Sequence, residues 1–112
     1  GSDMATSKII TVAVLAISLT SIAQAYTGND MQQMCKGTAV SDVNACNMYM
    51  FGVVDGYESA GMSGMCVPEN VKASQMVEIV KKHMKAVPEQ WHKHASHLIY
   101  DAMSSAFPCK DQ

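Results

Sequence analysis

The sequence contains no arginine, and this absence narrows the choice of partners at the outset. Its eight Lys or Arg positions are all lysine and ten residues are acidic, which gives a formal net charge of −2 at pH 7. Proteins that read bases or clamp phosphates rely mainly on arginine, whose planar guanidinium forms paired hydrogen bonds. We therefore expect no nucleic-acid partner.

Long apolar stretches are also scarce, and the one present lies near the N terminus with the layout of a secretion signal. Lys8 supplies a positive charge, residues 9–17 form an apolar core, and residues 23–25 have the small-x-small pattern of a cleavage site. The stretch is short and rich in Ser and Thr for a membrane anchor, although an uncleaved anchor or a buried helix is the alternative. We predict a cloning scar in residues 1–3, a signal peptide in residues 4–25 cleaved near Ala25, and a mature domain in residues 26–112 that does not associate with the membrane.

Four cysteines follow the predicted cleavage site, at positions Cys35, Cys46, Cys66 and Cys109. An even number of cysteines in a short exported chain indicates disulfides and an oxidising compartment, so we expect a periplasmic protein. Three pairings are open. We favour Cys35–Cys46, which joins the first two helices across a short turn, and Cys66–Cys109, which ties the central loop to the C terminus.

Motifs of common catalytic sites are missing. The chain has no C-x-x-C, no H-E-x-x-H and no G-x-S-x-G elbow, and paired cysteines would leave no thiol nucleophile. Asp55 and Glu58 could form a carboxylate pair on one helix, but nothing else would build a sugar cleft around them. We therefore expect no enzyme activity, no catalytic residue and no cofactor.

Histidines are concentrated in the C-terminal half, at positions His83, His92, His94 and His97. On a helix His94 and His97 would share a face, but His92 would point elsewhere, and no acid is placed as a third ligand. We expect no metal site and assign these histidines to the surface and to helix flanks, some of them capping a helix or packing on Trp91. A protein that binds a metal or small ligand through them is the weakest alternative.

Helical periodicity covers most of the predicted mature domain, and strand alternation is absent. The fold class predicted is all-α, a small bundle of about four short helices closed by two disulfides. The predicted helices cover about residues 30–36, 43–60, 73–87 and 88–106. The expected N-caps are Asn29 or Asp30 for the first helix and Ser41 or Asp42 for the second, and Gly37 is expected to end the first.

Gly52 and Gly56 lie four residues apart in the predicted second helix and share one of its faces. Each glycine costs about 0.5–1 kcal/mol relative to alanine within a helix. We therefore predict that another helix packs closely against this face.

The end of the second helix and the loop after it, residues 55–65, form the best candidate for a binding surface. They combine an aromatic ring, two acids, methionines and glycines, and tyrosine and methionine are enriched at interfaces. We expect Met62 and Met65 to be exposed and adaptable. A plain structural connector is the alternative, since loops are exposed by default. The predicted partner-binding residues are Asp55, Tyr57, Glu58, Ser59, Met62 and Ser63.

Four segments, in matching order and spacing, carry a resemblance to a known family. Residues 46–56 resemble a C-x-x-Y-x-x-G-x-x-D-[AG] segment, residues 66–71 a C-[IV]-P-x-x-V loop, and residues 75–80 the helix after it. Pro88, Glu89, His92, Ala95 and the terminal A-F-P-C of residues 106–109 match its last helix and ending. The family is the Rap/Tai family of immunity proteins against type VI secretion amidase effectors.

The resemblance implies a small all-α periplasmic protein that is often a homodimer. It also implies a role, in which the protein binds a peptidoglycan amidase delivered by a neighbouring cell and occludes its active-site cleft. Such amidases use Cys and His, and we expect residues 55–64 to form the plug. The alternative is a periplasmic accessory protein or a phage-encoded lysis regulator built on the same domain.

Overall fold

The computed structural model describes residues 25–110, and within them the chain forms four α-helices and no strand. The predicted all-α bundle is therefore confirmed. The predicted cloning scar and all but the last residue of the predicted signal peptide lie outside the described residues. Among the described helices, none is both long and apolar enough to cross a bilayer. The elements are α1 (Gly28–Lys36), α2 (Val40–Ser59), α3 (Ala73–Ala86), a short 3-10 turn (Pro88–Gln90) and α4 (Ala95–Ala106).

Helix α1 begins two residues earlier than predicted, and its N-cap is Thr27 rather than Asn29 or Asp30. The Thr27 hydroxyl accepts a hydrogen bond from the Asp30 backbone N–H at 3.3 Å, and the Asp30 carboxylate accepts one from the Thr27 N–H at 2.9 Å. This reciprocal pair satisfies two donors that the helix cannot satisfy itself. Gly37 is the C-cap, as predicted.

Helix α2 also begins earlier than predicted, at Val40 rather than near residue 43, and no side chain caps it. The backbone supplies the extra turn, because the Val43 N–H donates to the Ala39 carbonyl at 3.0 Å. Asp42 therefore lies inside the first turn instead of capping it. There its negative charge interacts favourably with the positive end of the helix dipole. The helix ends at Ser59, as predicted.

The predicted fourth helix is wrong at its start, since the chain breaks between the 3-10 turn and Ala95. The N-terminal segment occupies the backbone groups there. The Gly28 N–H donates to the Lys93 carbonyl at 2.9 Å, and the Ala95 N–H donates to the Tyr26 carbonyl at 2.8 Å. A continuous helix would need those groups for its own hydrogen bonds, so this pairing delays α4.

The core of the described bundle is built from the inner faces of all four helices, with α4 at its centre. Methionines fill much of it, which suits the irregular gaps between short helices. No polar or charged side chain is buried within residues 25–110. The largest fully buried side chains are Met31, Met50, Val80, Met84, Leu98, Ile99 and Met103.

Both predicted disulfides, Cys35–Cys46 and Cys66–Cys109, are present. The first joins the end of α1 to α2, and the second ties the loop between α2 and α3 to the segment after α4. Each is expected to contribute about 2–4 kcal/mol, the second more because it closes the longer loop. The cross-links matter because a domain this small has little core to bury.

Candidate partner-binding surface

Helix α2 has an inner face packed in the bundle and an outer face open to solvent. Cys46, Met50 and Val54 recur at four-residue steps and are buried. On the opposite side Met48 is 68% exposed and Phe51 is 46% exposed. With Val40 and Val43, which are also exposed, they leave apolar surface of α2 open to solvent.

The prediction that a helix packs against Gly52 and Gly56 is wrong within the described chain. Both glycines lie on the outer face, and a Cβ atom built at either position meets no atom within 4 Å. The reason is geometric, since the bundle already contacts α2 through Cys46, Met50 and Val54 on its other side. The two glycines instead leave the outer face flat.

The structure divides the six predicted contact residues between two surfaces. Asp55 and Glu58 line a groove between α2 and α3, whereas Tyr57 and Met62 line a second groove beside α4. Ser59 is exposed and lines neither groove. Ser63 is also exposed, and its backbone carbonyl accepts a hydrogen bond from the Tyr100 hydroxyl. The six residues are neighbours in the chain, but two line the first groove, two line the second and two line neither.

The first groove, which we call the acidic groove, has a volume of about 240 Å³. Its apolar part comes from α2, from the loop before α3 and from the first turn of α3. Three carboxylates, those of Asp55, Glu58 and Glu69, stand around it and are exposed. None of them forms an ion pair within residues 25–110. The residues lining the acidic groove are Phe51, Val54, Asp55, Glu58, Val67, Pro68, Glu69, Val71 and Met76.

The second groove, which we call the aromatic groove, has Tyr57 and Tyr100 in its wall. Their rings meet edge to face, with centroids 5.3 Å apart. The Tyr57 hydroxyl donates to the Ser96 carbonyl at 3.0 Å and ties α2 to α4. Tyr57 therefore stabilises the bundle, and only part of its ring is open to a partner. Met62, at 45% exposure, is the most accessible apolar group at this groove.

The loop between α2 and α3 is fastened to the end of α4 at several points. Cys66 forms the disulfide with Cys109 and donates its backbone N–H to the Phe107 carbonyl at 2.9 Å. The expectation that Met65 is exposed is wrong, since Met65 is only 5% exposed and packs in the core. Gly61 and Gly64 turn the loop with positive φ values of 72° and 94°, which glycine adopts without strain. The loop is therefore held in a fixed position against the end of α4.

Tyr49 lies on the flank of α2 between the two faces. Its ring packs against Tyr26, with centroids 5.1 Å apart. Burial raises the pKa of the Tyr49 phenol above its usual value of 10.0, and the neighbouring phenols of Tyr26 and Tyr57 raise it further. The phenol is thus neutral at physiological pH, and its contribution here is packing.

His92, His94 and His97 are exposed, as predicted for histidines at the surface and at helix flanks. His94 is the N-cap position of α4 rather than a helical residue, and its ring stacks on His97 with centroids 5.2 Å apart. The Trp91 indole N–H donates to the Met84 carbonyl at 2.8 Å, so the backbone holds this ring. Among the described residues no three potential metal ligands come together.

Glu69 and the apolar groups of the acidic groove were missed by sequence reasoning. Glu69 lies in the loop directly after Pro68, and its only local signal is a negative charge in an exposed segment. Its position across from Asp55 and Glu58 depends on how the loop returns over α2. A sequence pattern within one helix could not show that.

The bundle and its exposed grooves define a small all-α protein closed by two disulfides and carrying a preformed surface. The model of the Rap1a immunity protein family matches residues 27–109. The chain therefore belongs to the Rap1a immunity protein family. No curated protein matches it.

Proposed function

We propose that this chain is a periplasmic inhibitor of a type VI secretion peptidoglycan amidase and catalyses no reaction itself. The observation that carries the proposal is the family match across residues 27–109, which covers nearly all of the described chain. An immunity protein acts by binding its effector. A Cys/His amidase is the effector class that the sequence resemblance favours.

The proposed inhibition is occlusion of the amidase cleft by the outer end of α2 and the loop after it. The proposed contacts are Asp55, Tyr57, Glu58, Ser59, Met62 and Ser63. Support comes from the fastening of the loop to Cys109 and Phe107, because a surface that is already ordered loses less entropy on binding. Support also comes from the exposure of Met62, Asp55 and Glu58, whose side chains are open to a partner.

The periplasmic location rests on two disulfides, which form and persist in oxidising compartments. It also rests on the signal-like sequence of residues 4–25. The chain is expressed with its own N-terminal segment, and the product found in the periplasm is sequenced from its N terminus. This experiment tests the periplasmic location and the cleavage of the segment. A product beginning at Tyr26 is expected, and retention of the segment in the membrane fraction would contradict cleavage.

The functional test is co-export of the chain with each member of a panel of Cys/His peptidoglycan amidases. We expect one amidase to lyse cells alone and to be tolerated when the chain is present, with a stable complex on size-exclusion chromatography. Glu58→Lys should remove the protection, whereas Glu78→Lys, an exposed change on α3, should leave it intact. Tolerance of no amidase in the panel would contradict the amidase proposal and favour the lysis-regulator alternative.

The same chromatography tests the homodimer that the resemblance implies. The free mature chain is expected to elute at twice the mass of its monomer. Elution as a monomer at all concentrations would contradict it.

A further inference from the structure

We propose that the acidic groove receives one arginine or lysine side chain from the protein that this chain inhibits. The aliphatic stem would lie on the apolar floor, and the charged head would sit among Asp55, Glu58 and Glu69. This inference rests on the proposed function for the nature of the partner. It deepens that function by naming the chemistry of the contact.

The floor of the groove matches a hydrocarbon stem. Val54 and Met76 are buried beneath it, Val67 and Val71 are half-buried at its side, and Phe51 stands exposed at its edge. The volume of about 240 Å³ is smaller than the roughly 300–1,000 Å³ of sites that hold drug-sized ligands. A single long side chain is an occupant of suitable size.

The rim of the groove matches a cation. Asp55, Glu58 and Glu69 all line this groove and are exposed, and none of their carboxylates is neutralised by an ion pair within the described residues. Lys72, the lysine nearest in sequence, directs its backbone N–H to the Gln75 side chain and pairs with none of the three. Lys81 and Lys85 line a separate pocket with Lys36 and Gln32, so the positive charge of α3 does not cancel the negative charge here.

Other occupants fit this arrangement less well. A purely apolar side chain would bury the carboxylates without compensation, which is costly, and an anionic surface would be repelled. Arginine and lysine fit both the apolar floor and the acidic rim of the groove. Their methylene stems can lie on apolar surface while the charged group at the end stays among polar groups. Arginine adds paired hydrogen bonds to carboxylates, so it is the stronger of the two.

The first experiment measures binding of a basic side chain to the groove in the absence of the effector. Protein purified from the periplasm is titrated by two-dimensional amide NMR with acetyl-Gly-Leu-Arg-Leu-Gly-amide, and with the same peptide carrying citrulline, a neutral isostere, in place of arginine. We expect saturable shifts around residues 54–58 and 67–71 with the arginine peptide, and binding weakened roughly fivefold or more with citrulline. Equal binding of the two peptides, or no shifts at the groove, would overturn the proposal.

The second experiment uses the amidase selected by the protection test. The variant D55N/E58Q/E69Q keeps the shape of the groove and removes its charge, and Glu89→Gln in the 3-10 turn is the matched control. We expect the triple variant to bind the amidase roughly tenfold or more weakly and with a smaller dependence on salt, while the control is unchanged. Circular dichroism verifies that both variants fold.

The two proposals fail separately. Undiminished amidase binding by D55N/E58Q/E69Q would overturn the groove proposal and leave the inhibitor function standing. Selective binding of the arginine peptide together with tolerance of no amidase would overturn the inhibitor function and leave a groove specific for basic side chains.

Discussion

The inner and outer faces of α2 carry similar numbers of large side chains but are subject to different constraints. On the inner face Met50 and Val54 are almost fully buried and contact the other helices. On the outer face Met48 and Phe51 are exposed, and a Cβ built at Gly52 or Gly56 meets no atom of the described chain within 4 Å. One helix therefore serves two purposes, since the inner face specifies the bundle and the outer face is available to a partner.

The sharpest test of this difference is a pair of truncations at adjacent positions. Met50→Ala removes a side chain that is 1% exposed, and we expect it to destabilise the fold by about 2–5 kcal/mol through the cavity it leaves. Phe51→Ala should cost about 1 kcal/mol or less, because the ring is already half in solvent. Chemical denaturation measures both free energies of unfolding. Equal losses would contradict the assignment of the two faces.

A second test compares the glycines of α1 and α2. A Cβ at Gly28 would lie 2.9 Å from the Trp91 carbonyl oxygen, a backbone atom that cannot easily move. Gly28→Ala should therefore destabilise the fold by about 1–3 kcal/mol through overpacking. Thermal unfolding followed by circular dichroism measures the change, and an unchanged or raised midpoint would show that α1 and the Trp91 segment are not this close.

The outer-face glycines should respond in the opposite direction. With nothing within 4 Å, Gly52→Ala and Gly56→Ala should each stabilise the isolated chain by about 0.5–1 kcal/mol, because alanine loses less backbone entropy in a helix. The same unfolding measurement applies. Weaker binding of the amidase by a stabilised variant would mark the flat glycine strip as part of the interface, and destabilisation would mean that another group packs there.

The smallest expected effect concerns the flank of α2. Since the pKa of Tyr49 is raised on folding, the neutral phenol contributes stability that is present below pH 10 and is lost as the pH rises through the folded pKa. Tyr49→Phe should therefore lose less stability than the parent chain between about pH 8 and about pH 11. Tyr26→Phe removes one of the two neighbouring phenols that raise the pKa of Tyr49, so it should reduce the effect without abolishing it, because burial is the larger cause. Identical pH profiles of the parent chain and Tyr49→Phe would contradict burial of the phenol.

Prediction from the sequence was reliable where the signal is local. The helical conformation of residues 43–59 follows from the periodicity of this segment, and the end of α2 at Ser59 agrees with the glycines that follow. The cap of α1 was missed although it too is local, because Thr27 and Asp30 form a capping box in which aspartate stands for the usual glutamate. The three-residue spacing of Thr27 and Asp30 carries this signal in the sequence.

Long-range contacts account for the other errors. The late start of α4 results from hydrogen bonds between residues near 26–29 and residues 91–95, which are far apart in the chain. The burial of Met65 beside the exposed Met62 depends on how the disulfide draws the loop toward the end of α4. Periodicity within a single segment contains no information about such pairings.

By itself, the sequence determined the helical class and the four-helix outline, and it favoured the cysteine pairing that the structure contains. These depend on side-chain spacing along one helix and on which cysteines can meet across short or terminal connections. Only the tertiary structure decided that Gly52 and Gly56 face solvent, that Tyr57 is tied to Ser96, and that Glu69 joins Asp55 and Glu58 around one groove. Those features depend on the relative placement of separate elements, which is set by the packing of the whole core rather than by any local pattern.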